Sequence, residues 1–332
     1  MNIDQVKLSN YAGLWCIEPT RFSQICGIVN GMNLAAHIAS QEPRKIGGGI
    51  GRKYETAQGS IAIIDIDGTL TKAGSSLGGG GTVEMRQTIR KANEDKTIGS
   101  IILRFDSPGG TVSGTADLAD EVASSAKPII AFVEDLCCSA AMWVASQCDE
   151  IFANNATAIV GSIGTFMGLY DVSKAFEKEG IKPILVKSGE FKGGGFPGME
   201  ITDKQVAEWQ KSIDEIQSQF TTGIAKGRGM SLSAASKLAT GSCFMAEEAT
   251  RLRLIDGIKP FDEVVHHVRG RTSRASRSPV SDSRSAKEQW DAAVRYEQGK
   301  SDSFGKPVSY IEAFVIAKQR YPELRAAKLA EK

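Results

Sequence analysis

The sequence predicts an α/β domain in which parallel strands alternate with crossover helices, preceded by a helical extension and followed by a helical tail. Two patterns lead there: from Ser60 onward, short runs rich in Ile, Val and Phe alternate with stretches of helical periodicity, the order that a parallel sheet with helical crossovers requires. In such a domain the loops at the strand ends build the site. In order, the expected elements are a strand over Ser60–Ile66, a helix over Thr82–Asn93, a strand over Ser100–Phe105 and a helix over Thr115–Ser125. A strand over Pro128–Val133, a small-residue helix opening at Ser139, strands at Glu150–Ala153 and Pro183–Val186, and a long helix over Thr202–Lys226 complete the series.

The flanks differ in texture. Residues 1–58 form an extension in which Phe22, Ile25, Cys26, Ile28, Val29, Met32, Leu34 and Ile38 recur at near-helical spacing. Its Gly47–Gly51 loop lacks the Gly-Lys-Ser/Thr ending of a phosphate cradle and reads as a connection. The main domain occupies residues 59–268. Residues 269–287 are rich in Ser and Arg and poor in apolar side chains, the composition of a disordered linker. Residues 288–332 return to amphipathic helix around Trp290, Val294, Tyr310, Phe314 and Tyr321; such a tail either docks on another molecule or packs back on the parent domain.

Composition narrows the function. The 332 residues carry a formal net charge of +1, which supplies no global field for nucleic acid or an anionic membrane, and the Arg-rich linker lacks the interleaved aromatics that stack on bases. No apolar stretch approaches the roughly 18 residues of a membrane span, and the first residues do not read as a secretory signal. A soluble protein, in the compartment where it is made, is the expectation. The six cysteines and three histidines show no ligand spacing, so reduced thiols are expected, with neither a metal nor a cofactor.

Four segments bear on chemistry. Ser139 follows a strand and opens a helix of small residues, where backbone approaches a substrate closely; the alternative is an ordinary helix cap. Gly109 and Gly110 in Asp106-Ser107-Pro108-Gly109-Gly110 can present unhindered N–H groups at a strand end, as an oxyanion hole needs, or form a plain turn. The histidines are poor bases by position, whereas a buried lysine can serve. Lys192, beside Phe191 and Gly193–Gly195, is the better placed, with Lys187 competing; Ser162 in Gly161-Ser162-Ile163-Gly164 can orient the amine. The segment Asp65-Ile66-Asp67-Gly68-Thr69 fits the first motif of haloacid dehalogenase-type phosphatases, but no downstream acidic metal element follows, so it reads as the domain's first strand.

Taken together with Asp149–Asn154, Gly227-Arg228-Gly229-Met230 and Leu254-Ile255-Asp256-Gly257, these motifs resemble the signal peptide peptidase A (protease IV) family, peptidase family S49, over residues 60–268. The resemblance implies a fold related to the Clp protease subunit and crotonase, a superhelix of repeated β-β-α units, and serine endopeptidase activity. It also implies Ser139 as nucleophile, Lys192 as general base, Ser162 as its helper and Gly109 or Gly110 as oxyanion donor. Polypeptide substrates and a homo-oligomer follow, the lysine acting within or between subunits. Alanines stand where relatives commonly have glycines after the nucleophile, at Ala140 and Ala141. The extension with Leu14-Trp15-Cys16-Ile17-Glu18-Pro19, the linker and the tail look like the capsid-assembly proteases of tailed phages and prophages, the minor capsid protein C-like enzymes. That likeness implies scaffold and portal-associated partners and a location in the prohead or the host cytoplasm. The alternatives are a bacterial cytoplasmic peptide-degrading enzyme and a structural capsid component with a vestigial dyad.

Overall fold

Strands buried on both faces set the architecture. The computed structural model describes residues 14–31, 55–57, 60–73 and 81–276, together with Val294. The strands are β1 (Trp15–Ile17), β2 (Glu55–Ala57), β3 (Ile61–Asp67), β4 (Ser100–Ser107), β5 (Gly109–Thr111), β6 (Ile129–Cys138), β7 (Glu150–Ala153), β8 (Ile159–Gly161), β9 (Cys243–Met245) and β10 (Gly257–Ile258). The helices are α1 (Pro19–Gly31), α2 (Thr82–Glu94), α3 (Thr115–Ala123), α4 (Ala140–Ala145), α5 (Ser173–Lys178), α6 (Asp203–Gly227), α7 (Leu232–Leu238), α8 (Ala246–Arg251) and α9 (Phe261–Ser276).

The main sheet runs β10-β7-β6-β4-β3-β2, parallel except for β2. Along β3, β4 and β6, Ile61, Ile102, Ile130 and Phe132 face Val264, Val265 and Val268 of α9. Their neighbours Ala62, Ile64, Ile101, Leu103, Phe105, Ala131 and Val133 join the larger core with residues of α2, α3 and α4. A period of two buried on both sides is what makes these strands read as unbroken apolar runs.

The fold positions the site through β6. Its first half pairs with β7, and its last residues, Leu136–Cys138, turn to β8. β4 follows with a shift of register between Phe105 and Ser107, the kind of irregularity that re-aims a strand end. Directly after β6 comes α4, every residue of which is buried. The ring of Trp143 stacks on Phe220 of α6 with centroids 4.8 Å apart.

Two expectations change. Pro183–Val186 is not a strand: the segment is irregular, with Ile184 79% and Val186 93% exposed. A β-branched run becomes a strand only when an edge is offered to it, and no described strand pairs with this one. The second change is at α9, which runs to Ser276, into the stretch read as linker. The Gly47–Gly51 loop, residues 277–287 and the tail lie outside the described residues, apart from Val294, which is helical and buried.

Candidate active site

The turn between β6 and α4 holds Ser139 at φ 54°, ψ −117°. A non-glycine residue there carries strain of about 1–3 kcal/mol. The surroundings enforce it: the Ser139 N–H donates to Gly161 O at 2.8 Å, and its carbonyl accepts from Trp143 N–H at 3.0 Å. Ser139 is fully buried and its hydroxyl caps nothing; Oγ lies 3.4 Å from the Gly164 carbonyl oxygen. A helix cap needs extended backbone and a side chain turned onto the first N–H groups. Ser139 has neither, so the cap reading fails.

Gly109 brings β5 against this turn. It adopts φ 100°, and a Cβ there would fall 2.3 Å from Cys16 O, 2.8 Å from Cys138 O and 2.9 Å from Ala140 N. Only glycine lets the strand approach the backbone on either side of Ser139 this closely. The N–H groups of the two glycines, expected open, are engaged. Gly109 N–H donates to Ser107 Oγ at 3.2 Å. Gly110 lies opposite Cys16 in an antiparallel pair. Bonds from Glu18 N to Pro108 O and from Val112 N to Leu14 O bracket it, which makes the Gly110–Cys16 pair a hydrogen-bonded one.

Ser162 sits beside the serine turn at φ 49°, 3% exposed, its N–H on Ser242 O at 2.7 Å. Its partner here is a thiol. Cys243 Sγ lies 3.8 Å from Cys138 Sγ, and hydrogen bonds from Cys138 foremost, then from Ser162, bring the Cys243 thiol down to about 7 against the cost of burial. The same contact with Cys243, together with desolvation, holds Cys138 protonated. Alkylation by iodoacetamide consumes thiolate, so Cys243 should react first, its rate rising as pH climbs through about 7. Peptide mapping across pH 5.5–9 checks this; modification led by Cys16 or Cys148, whose thiols burial pushes up, would contradict the pairing.

The candidate lysines are elsewhere. Lys187 Nζ donates to Glu190 O at 2.6 Å. Lys192 is exposed, and no hydrogen bond joins it to Ser139 among the described residues. It rides on a projecting arm, residues 168–202, in which Tyr170, Ile184, Val186, Phe191 and Phe196 are exposed. Of the histidines, His267 bonds Glu150 at 2.7 Å, at the start of β7 and so at the opposite end of the parallel sheet from Ser139. Asp65, the phosphatase-like aspartate, is tied to Arg104 at 2.7 Å. Among the described residues no group of three His, Cys, Asp or Glu side chains is arranged to hold a metal ion, and no helix is long and apolar enough to cross a membrane.

Sequence reasoning missed two members of this neighbourhood, Cys243 and β1. Cys243 reaches the site only through the β8–β9 pairing. β1 is visible in the sequence only as part of the segment 14–19 of the extension, with no sign of its place against Gly109 and Gly110.

Comparison with known proteins adds the following. The profile described as peptidase family S49 matches residues 121–273, a span that contains Ser139, Ser162 and Lys192. The chain is 32% identical over 167 residues to a Methanocaldococcus jannaschii protein provisionally named a protease, covering 50% of this chain and 53% of that protein. It is 28% identical over 210 residues to Protease 4 of Haemophilus influenzae, covering 62% of this chain and 34% of that one. Over 187 residues it is 30% identical to capsid assembly protease C of Escherichia phage lambda, covering 54% and 42%. The chain thus spans about half the length of the first of these relatives and about a third of the second.

Proposed function

Since the chain carries a peptidase family S49 domain, we propose that it is a serine endopeptidase with Ser139 as nucleophile and Lys192 as general base. The observation that carries the reading is the buried serine held at φ 54° between β6 and α4, with Gly109 pressed against the backbone on both sides of it. Strain of this kind persists where surroundings over-determine a reactive group.

In the proposed reaction, neutral Lys192 Nζ takes the Ser139 hydroxyl proton as Oγ attacks the scissile carbonyl. The N–H of Gly109, now given to Ser107, and the free first N–H of α4 at Ala140 receive the oxyanion. Gly110 holds the substrate strand by the ladder position it now shares with Cys16. The protonated lysine then gives its proton to the leaving amine, and water, deprotonated by the same lysine, releases the acyl group. Ser162 orients the amine once it arrives.

Burial is what turns a lysine into a base, and the exposed arm supplies the means. Its apolar side chains need a partner surface. Docking them on a second copy would carry Lys192 to the neighbour's Ser139 and bury it there, so we read the active form as a homo-oligomer with dyads between subunits. The order strand, short strand, helix recurs as β4-β5-α3 and β7-β8-α5, which supports the superhelix of β-β-α units. Similarity to a phage capsid assembly protease supports a role in capsid maturation, with scaffold and portal-associated proteins as substrates or partners, in the prohead or host cytoplasm. The test is intact-mass analysis with a fluorophosphonate probe and an unfolded protein substrate. One adduct on Ser139, and cleavage lost in Ser139→Ala, are expected. Cleavage retained by that variant would sink the assignment.

A further inference from the structure

β1 pairs along one edge with β5 and, through Trp15, meets Phe166 on the other, and both neighbours belong to the site. On one side lies β5, with Ile17 opposite Gly109, Cys16 opposite Gly110 and Trp15 opposite Thr111. On the other lies Phe166, which exchanges two 3.0 Å hydrogen bonds with Trp15. Phe166 is two residues beyond Gly164, whose carbonyl faces Ser139 Oγ. Cys16 Sγ rests 3.3 Å from Thr165 Oγ1. Trp15 is 7% exposed, Cys16 0% and Ile17 2%.

The helix that follows this strand is largely exposed. In α1, residues 19–28 and Gly31 are exposed or only partly buried, and Ile28 is 58% exposed. The first turn of α1 is capped by the Glu18 carboxylate, which accepts from Thr20 and Arg21 N–H at 2.9 and 2.8 Å. The helix meets the site through Phe22, whose ring centroid lies 5.1 Å from that of Trp15 and 5.3 Å from that of Phe166. With β1 gone, β5 and the chain at Phe166 would face each other as unpaired edges, about two strand spacings apart, or roughly 9–10 Å. Such a slot takes an extended peptide by main-chain hydrogen bonds whatever its sequence, with pockets for alternate side chains. A substrate strand there would meet the same ladder and set one of its peptide bonds beside Gly109, as the Ile17–Glu18 bond is set now.

We propose that residues 14–18 are a resident strand of the chain's own that closes the peptide slot of the active site, and that a substrate strand binds only after this segment has left. The meaning of the slot rests on the reading of Ser139 as nucleophile; its occupancy does not. An enzyme whose open form is a minor fraction binds its ligand more weakly by that fraction, so releasing the strand should increase peptide affinity.

The probe is a fluorescein-labelled peptide with the sequence of residues 12–21, and the readout is anisotropy on full-length protein in a Ser139→Ala background, where no catalysis is needed. Cys16→Pro removes a ladder N–H, and Ile17→Asp puts a charge in a buried position; either should loosen the strand. At least about tenfold tighter binding to both released variants than to Ser139→Ala alone is expected, corresponding to about 1.4 kcal/mol. Equal or absent binding by variants that still unfold cooperatively would overturn the proposal. Should both variants fail to fold, hydrogen exchange on the unsubstituted chain decides. Amides of Trp15–Ile17 exchanging at least about ten times faster than those of β4 support a strand that leaves by itself, whereas equal rates make it an integral part of the fold and end the proposal. Fluorophosphonate labelling of Ser139, run in parallel on Cys16→Pro, separates the two readings. The peptide result without labelling leaves the resident strand standing and removes the peptidase, while labelling with unchanged peptide binding does the reverse.

Discussion

Ser139→Ala and Lys192→Ala proteins, each inactive alone, should regain peptidase activity when mixed. Loss of either group is expected to lower the rate by at least about 10³-fold, because members of a nucleophile–base unit fail together and only oxyanion and binding contributions survive. If each dyad spans one interface, random assembly of the two variants pairs an intact serine with an intact lysine at roughly a quarter of the sites. The expectation comes from where Lys192 sits: exposed, on an arm that shows solvent Ile184, Val186 and Phe196, while Ser139 is buried at the end of β6. Activity of the unsubstituted protein should also fall steeply on dilution, since assembly depends on concentration. A mixture that stays inactive, beside a wild type that keeps its specific activity on dilution, would confine the dyad to one subunit. Ser139→Ala itself should leave the fold intact. Alanine meets the same backbone demand at φ 54°, and the 3.4 Å contact of Oγ with Gly164 O is long for a hydrogen bond, so the stability change should be no more than about 1 kcal/mol.

What could be read in the sequence is what burial on both faces writes there. β3, β4 and β7 and the helices α2, α3 and α6 fall within a few residues of their expected bounds, because each is a sustained apolar pattern with turn residues at its ends. β6 runs on to Cys138 where the sequence suggested a stop at Val133; Glu134 and Asp135 interrupt the apolar run just as the strand leaves one neighbour for another. The serine, the two glycines and Ser162 could be named from local motifs, and the structure gathers them around one turn. β1 could not, since three residues are too few to show a period and the partners lie some 90 and 150 positions away. The same holds for Cys243. The run at Pro183–Val186 errs in the opposite direction: it has the composition of a strand but pairs with no described strand of the chain.

Trp143→Ala should be the most damaging change outside the reacting groups. The Trp143 ring stacks on Phe220 at 4.8 Å and 10° between planes, and Gly223 passes so close that a Cβ there would lie 2.5 Å from Trp143 Nε1. Truncating a buried tryptophan costs about 3–5 kcal/mol through lost transfer energy and the cavity left behind. In a domain of this size that lowers the melting temperature by roughly 10 °C. The stack also joins two elements with separate duties. α4 follows the turn that strains Ser139, and α6 begins where the exposed arm ends and is buried only from Phe220 onward. Losing the stack therefore loosens the anchorage of the arm as well as the helix behind the serine, so activity should fall further than the folded fraction accounts for. Trp143→Phe, which keeps an aromatic face toward Phe220, should recover most of the stability. A melting point within 2 °C of wild type for Trp143→Ala, on the same scale, would mean that α6 is not docked as described, and the route from the nucleophile turn to the lysine arm would have to be redrawn.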